Sequence, residues 1–288
     1  MINFYEEDYM RLKKNLLCLG LLCLGIIPFI FSGCSPTEVT TVPSHIENLA
    51  GRANLIFTGT VKELNAVTMP IITASAHNVI VTVNKVIKAT GPLRHYTGKE
   101  ITVHLREPGK LQEGQQLIFF AQDWLYGKSI AVRELGKLRI ENDLERKESQ
   151  VAAGMRNAEE KALLKQIAAA DLVLAGKVVK VEQLKIQRKQ KFSEHDPMWH
   201  RAVIKINTLV RGNFSSSSIN VLFPASMDVM WYKAPKFKVN QERVWLLHKD
   251  QLEKLKIKGI RGYSTLNPEN TFPMSRLSEI IRLSKKVK

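Results

Sequence analysis

Ala53-Asn-Leu-Ile-Phe-Thr-Gly-Thr-Val61 and Ala170-Asp-Leu-Val-Leu-Ala-Gly-Lys-Val178 are one pattern written twice. Three more blocks follow each copy in the same order. Val81–Lys88 matches Ile204–Arg211, Ile101–Leu105 matches Ile219–Phe223, and Leu111–Phe120 matches Phe237–Leu246. Ordered blocks whose spacing drifts by only a few residues mean one structural unit used twice, and the drift marks the loops that differ. The second copy is longer after its first block and again before its fourth.

Each block reads as a strand. Ile101, Val103 and Leu105 alternate with Thr102, His104 and Arg106, the period of a half-buried strand. Gly59 and Gly176 stand inside the first block of each copy, where a glycine marks a bulge or a barrel corner. A fifth strand is expected at Ser129–Leu135, with a counterpart near Gly259–Thr265. Ser44-His-Ile-Glu47 has the form of a capping box ahead of copy one. Ser149–Ala169, rich in Ala, Glu, Lys and Leu, reads as a longer helix ahead of copy two. That helix is expected to pack between the copies or to cover the end of one, and a last helix is expected over Ser275–Leu283. Five short strands per copy with a bulged first strand predict a mainly β protein with helices: two tandem five-stranded, OB-like Greek-key barrels joined by an α-helix.

The N-terminal segment reads as an address. Arg11, Lys13 and Lys14 precede an apolar run from Leu16 to Phe31 that ends in small residues, the layout of an export signal, with a single N-terminal membrane anchor as the alternative. All three cysteines, Cys18, Cys23 and Cys34, lie here, so the rest of the chain has no disulfide framework. Phe31-Ser-Gly-Cys34 resembles the bacterial lipobox, with Phe31 where Leu is usual. The resemblance implies cleavage before Cys34, acylation of Cys34 and, with Ser35 following, sorting to the outer membrane of a Gram-negative cell. Glu6, Glu7 and Asp8 are unusual ahead of a signal, so either Met1 or Met10 is the expected start. The expected organisation is signal peptide 1–33, tether 34–43, first repeat 44–141, connecting helical segment 142–169, and second repeat with a C-terminal helix 170–288.

The chain has 288 residues, with 43 Lys+Arg against 27 Asp+Glu and a net charge of +16. Residues 1–33 carry as many basic as acidic side chains, so the excess belongs to the folded part. This composition excludes a disordered tail, a collagen-like repeat and a polytopic membrane protein. The pattern Ala-Asp-Leu-Val-x-x-Gly-x-Val, then a strand ending in a basic residue and Gly, then a Gly-x-x-hydrophobic-Phe strand, resembles the netrin-like domains. Those include the tissue inhibitors of metalloproteinases, and the resemblance implies OB barrels. Netrin-like domains are usually disulfide-linked, and the inhibitors chelate zinc through a free N-terminal cysteine. Here the mature chain keeps only Cys34, which the lipobox marks for acylation, so that inhibitory mechanism does not carry over.

Three clusters carry candidate chemistry. His195, Asp196 and His200 could supply metal ligands in the long loop of copy two, or simply form a polar loop, and His77 stands at the position equivalent to His200. Trp231 and Tyr232 lie among Lys233, Lys236 and Lys238, a mixture suited to stacking against rings beside anionic groups; the alternative is aromatics folded back over the barrel. Lys185, Arg188 and Lys189 extend the first strand of copy two into its loop, either as a ligand contact or as a solvated edge guarded by charge. No catalytic motif emerges, and Asp123 with Glu134, or Asp228 with Glu242, are the only acid pairs that invite comparison. The sequence therefore predicts a membrane-anchored exported lipoprotein without cofactor, acting as a non-catalytic protein-binding or adaptor module of the bacterial envelope. An anionic glycan or other polyanion is the alternative partner, a metal-dependent hydrolase the outside one, and nucleic acid is not expected of an exported chain.

Overall fold

The computed structural model describes residues 43–184, 195–249, 251 and 262–287. The signal segment with Cys34, and Lys185, Arg188 and Lys189, lie outside the described residues. The protein is mainly β, with two sheets and accompanying helices.

The first block of copy one becomes β1 (Leu55–Leu64), flanked by β2 (Asn78–Ala89) and β4 (Gln116–Tyr126). β3 (Glu100–His104) continues from β2, and β5 (Ile130–Arg139) runs parallel to β3 and antiparallel to β4. The ring β1-β2-β3-β5-β4 is thereby closed. Leu55, Phe57 and Val61 fill its interior with Val81, Ile101, Val103, Phe119 and Val132, and Phe57 stacks on Phe119 at 5.2 Å. Ile56 faces outward but is also buried, beneath a helix, so the opening of β1 is apolar on both faces.

Copy two repeats this pairing. β6 (Leu172–Gln183) lies between β7 (Trp199–Arg211) and β9 (Glu242–Leu247), with β8 (Ser218–Pro224) on β7. Register shifts fall at Ile56/Phe57, Thr58/Gly59 and Val61/Glu63 in β1, and at the equivalent Val173/Leu174, Ala175/Gly176 and Val178/Lys180 in β6. The predicted glycine positions are thus bulges in both copies. The fifth strand differs. β5 is continuous, whereas its counterpart is split into β10 (Tyr263–Ser264), parallel to β8, and β11 (Thr271–Phe272), antiparallel to β9. A single bridge between His248 and Ser264 links β10 to the end of β9. The second sheet is accordingly curled, in the order β10-β8-β7-β6-β9-β11.

Helix α1 (Ser44–Arg52) precedes β1 without a capping box: Pro43 is the N-cap, no side chain caps the helix, and Glu47 pairs instead with Lys161 at 2.5 Å. α2 (Leu144–Ala169) begins earlier than the Ser149 expected, runs for 26 residues and so spans about 39 Å. Its first half puts Val151 and Met155 with Ile46 and Ala50 of α1 on the outer face of the first sheet, over Ile56, Ile118 and Phe120. Its second half puts Leu163 and Ile167 on the second sheet, over Val173, Ala175, Val244 and Leu246, with Ile280 and Leu283 of α3 (Leu277–Ser284).

These contacts repeat as the strands do. Ile46, Ala50 and Ala53 occupy in copy one the places of Leu163, Ile167 and Ala170 in copy two. Val151 and buried Gly154 likewise correspond to Ile280 and Leu283. A helix thus leads into each sheet and another packs on it afterwards, the first sheet a five-stranded ring and the second six-stranded, and α2 packs on both. Even the helix ends are closed alike. Lys88 donates to the Ala50 carbonyl at 2.8 Å, and Arg211, its equivalent, donates to the Ile167 and Ala170 carbonyls at 3.4 and 2.9 Å. The described residues fall within one compact unit, Thr41–Lys288.

The bulge glycines permit the sharp curl of β1 and β6. A Cβ on Gly59 would overlap the Val81 side chain, but one on Gly176 would overlap the backbone carbonyl of Lys205. A side chain can rotate, whereas a paired carbonyl cannot yield without loosening β6 from β7. Gly176→Ala should therefore cost roughly 2 kcal/mol or more of stability, read as a lower urea midpoint at unchanged m-value, and Gly59→Ala less. Equal losses would show that the two bulges are not constrained as described.

Candidate functional site

The loop between β8 and β9 is long, and Asp228 organises it. The Asp228 N–H is taken by Ser226 Oγ at 3.1 Å, and its carboxylate accepts from the Met230 N–H at 2.8 Å. The Asp228 carbonyl accepts from the N–H groups of both Trp231 and Tyr232, at 2.8 Å each. His195 Nδ1 donates to the carboxylate from 3.0 Å. The Met230 N–H first, and then His195, hold the Asp228 carboxyl below the usual carboxylate range.

The remaining ties are internal as well. The Trp231 indole N–H donates to the His195 carbonyl at 2.8 Å, and its ring meets buried Trp199 edge-on at 5.9 Å. Lys236 donates to the carbonyls of Pro224 and Trp231, both at 2.7 Å, and burial pushes its ammonium pKa down. Of the five residues that the sequence marks in this loop, Trp231 and Lys236 therefore fasten it. Tyr232, Lys233 and Lys238 are exposed, with the Lys233 ammonium 5.6 Å from the Tyr232 ring centre.

This fastening holds apolar side chains in water. Met227 and Val229 are 72% exposed, Met230 63%, Met198 48% and Tyr232 47%. Single exposed apolar residues are ordinary, but Met227, Val229, Met230 and Tyr232 are all exposed on one tightly hydrogen-bonded loop. Methionine suits binding surfaces because its unbranched, polarisable chain adapts to the partner.

The three proposed metal ligands each have other partners. His195 is on Asp228, Asp196 accepts from the Met198 N–H at 2.8 Å, and His200 Nδ1 is on the Met198 carbonyl at 2.9 Å. Among the described residues, no group of three His, Cys, Asp or Glu side chains is arranged to hold a metal ion. The acid pairs are likewise separated by their partners: Asp123 receives the Asn54 amide, Glu134 pairs with Lys137 at 2.9 Å, and Glu242 with Lys177 at 3.7 Å.

A second constellation carries no signal in the linear sequence, because each member comes from a different segment. On the outer face of the first barrel, His77 stacks on His104 at 5.6 Å, His104 meets Trp124 at 5.2 Å, and the Arg133 guanidinium lies 5.0 Å from the Trp124 ring centre. A register shift between Asp123 and Leu125 makes Trp124 a bulge residue, which turns its ring onto this face.

The chain matches no model of a known protein family and no curated protein sequence. No helix among the described residues is long and apolar enough to cross a membrane.

Asp228→Asn keeps the size of the side chain and removes its charge. A depressed native pKa stabilises the fold above the unfolded aspartate value near 3.9, and this contribution is lost as pH falls through the native value. Thermal melts should therefore find Asp228→Asn less stable than the parent at pH 7, with the gap closing as pH drops below about 4. A gap that persists at pH 2 would rule out the carboxylate charge as the loop's fastening.

Proposed function

We propose that this chain is an exported lipoprotein, anchored through acylated Cys34, whose two OB-like barrels joined by α2 serve as a non-catalytic protein-docking module of the bacterial envelope. The observation that carries the docking role is the Met227–Tyr232 loop, which keeps apolar side chains exposed on a framework of internal hydrogen bonds. A mobile loop would fold such side chains back onto the protein; a fastened one keeps them available and reduces the ordering cost of binding. Exposed Lys233 and Lys238 on the same loop would supply the polar rim common to such interfaces.

The OB-like reading is supported by the ring order β1-β2-β3-β5-β4 and by the pairing that the second sheet repeats. The lipoprotein reading is supported by Phe31-Ser-Gly-Cys34 and the basic, apolar run ahead of it. A polyanion remains the second reading, favoured by the +16 charge.

Capture from envelope fractions tests the docking role. The substitutions Met227→Ser, Val229→Ser and Met230→Ser together should abolish retention of a specific envelope protein while leaving the melting temperature within about 2 °C, as befits surface positions. Retention of the same partner by the triple variant would overturn the assignment of this loop. Labelling with radioactive palmitate checks the anchor separately: incorporation should disappear in Cys34→Ser.

A further inference from the structure

The ring stack of the first barrel ends in an arginine with unused donors. His77 Nδ1 donates to the Leu105 carbonyl at 3.1 Å, and His104 Nδ1 to the Asn78 amide oxygen at 2.9 Å. Buried Asn78 is itself held by its amide N–H bonds to the Thr73 carbonyl and Ser75 Oγ, at 2.9 and 3.2 Å, so its oxygen must face His104. Both imidazoles are thereby oriented with Nε2 left over. Arg133 pairs in register with His104 across β3 and β5, and its guanidinium packs on the Trp124 ring, which itself meets the His104 imidazole. Among the described residues, no carboxylate pairs with Arg133.

An arginine packed on an indole has little rotamer freedom left to lose, while its in-plane N–H fork stays open. This arrangement fits a carboxylate, sulfate or phosphate oxyanion with two parallel bonds. The half-buried edges of His77, His104 and Trp124 add apolar surface beside that oxyanion, which suits the C–H face of a sugar ring better than a lipid phosphate surrounded by water. The site belongs to copy one alone: Leu222 and Ser264 occupy the registers of His104 and Arg133 in the second sheet.

We propose that Arg133, presented by Trp124 and flanked by His104 and His77, binds the charged group of an acidic oligosaccharide on the outer face of the first barrel. This site is separate from the Met227–Tyr232 loop and holds whether or not that loop docks a protein. The charged and titratable groups facing His104 are His77, ahead of β2, and Arg133, on β5. Burial first, and then these two neighbours, lower the His104 pKa below its ordinary value, which favours the neutral imidazole. A bound anion would favour the charged form, so affinity should rise as pH falls.

Calorimetric titration of residues 43–288 with hexagalacturonate, at low salt, tests the site. Arg133→Gln should weaken binding about tenfold, the scale of one charge-assisted fork, while Lys165→Gln, at an exposed position of α2, should change it less than about twofold. Equal losses in both variants would mean diffuse attraction to a basic protein and would overturn the proposal. Between pH 7.5 and 5.5 the parent's affinity should rise, and the rise should be reduced in His104→Gln; a flat profile in the parent would remove His104 from the site. Arg133 is exposed, so its variant should fold. In the parent, the Trp124 indole and His104 ring resonances should move on saturation, and their failure to move would contradict the site regardless of any variant. Vesicles containing phosphatidylglycerol are the remaining arm: binding to them in place of the oligosaccharide would assign the oxyanion to lipid and sink the glycan reading.

Discussion

One helix buries its two halves against two different sheets, and the rest of the molecule is arranged around that constraint. α2 carries Val151 and Gly154 on the side of the first sheet and Leu163 and Ile167 on the side of the second. Each fully buried aliphatic side chain contributes on the order of 1.5–3 kcal/mol, so neither half can leave without a loss comparable to much of a domain's net stability. The crossing with α1 depends on small residues. A Cβ on Gly154 would stand 3.1 Å from Ile46 Cγ2, and one on Gly51 would stand 3.3 Å from Ala158 Cβ. At the far end, Glu160 holds Arg282 and Lys286 of the C-terminal segment at 2.9 and 2.7 Å, and these two cations keep its carboxyl at about 2.

Within that shared frame the two copies have taken different surfaces. The first keeps a closed ring with a continuous β5, and β5 brings Arg133 beside His104. The second interrupts the same strand between Ser264 and Thr271 and lengthens the loop ahead of β9. The lengthened loop carries the exposed methionines, and the interrupted strand leaves Ser264 where the arginine would be. A duplicated core allows this divergence, because inward positions such as Phe57 and Leu174, or Val103 and Val221, keep the fold while outward positions change freely.

The repeated β pattern was legible because it is local and periodic. Ala53–Val61 and Ala170–Val178 name the bulged first strands directly, down to the glycine at each shift. α2 was legible in its Ala-rich part, but its start was not, since Leu144-Glu-Arg-Lys147 has neither a cap residue with a bonded side chain nor an apolar stripe. β10 and β11 are two residues each, too short for alternation to register. The aromatic loop was visible as composition only. That Trp231 would turn inward depended on the His195 carbonyl, 36 residues earlier in the chain, while the exposure of Met227, Val229 and Met230 depended on Asp228 fastening the backbone. The ring stack was not legible at all, because His77, His104, Trp124 and Arg133 meet only through strand register and a bulge.

Differential scanning calorimetry of residues 43–288, with and without Glu159→Pro, tests the shared helix most directly. Glu159 is an exposed residue near the middle of α2, where proline removes one backbone bond and breaks the helix at a cost of about 3 kcal/mol or more. The parent should melt in one cooperative transition, because both sheets depend on the same helix, and Glu159→Pro should split it into two. Two separate transitions in the parent, left unchanged by the proline, would contradict the coupling of the two copies through α2.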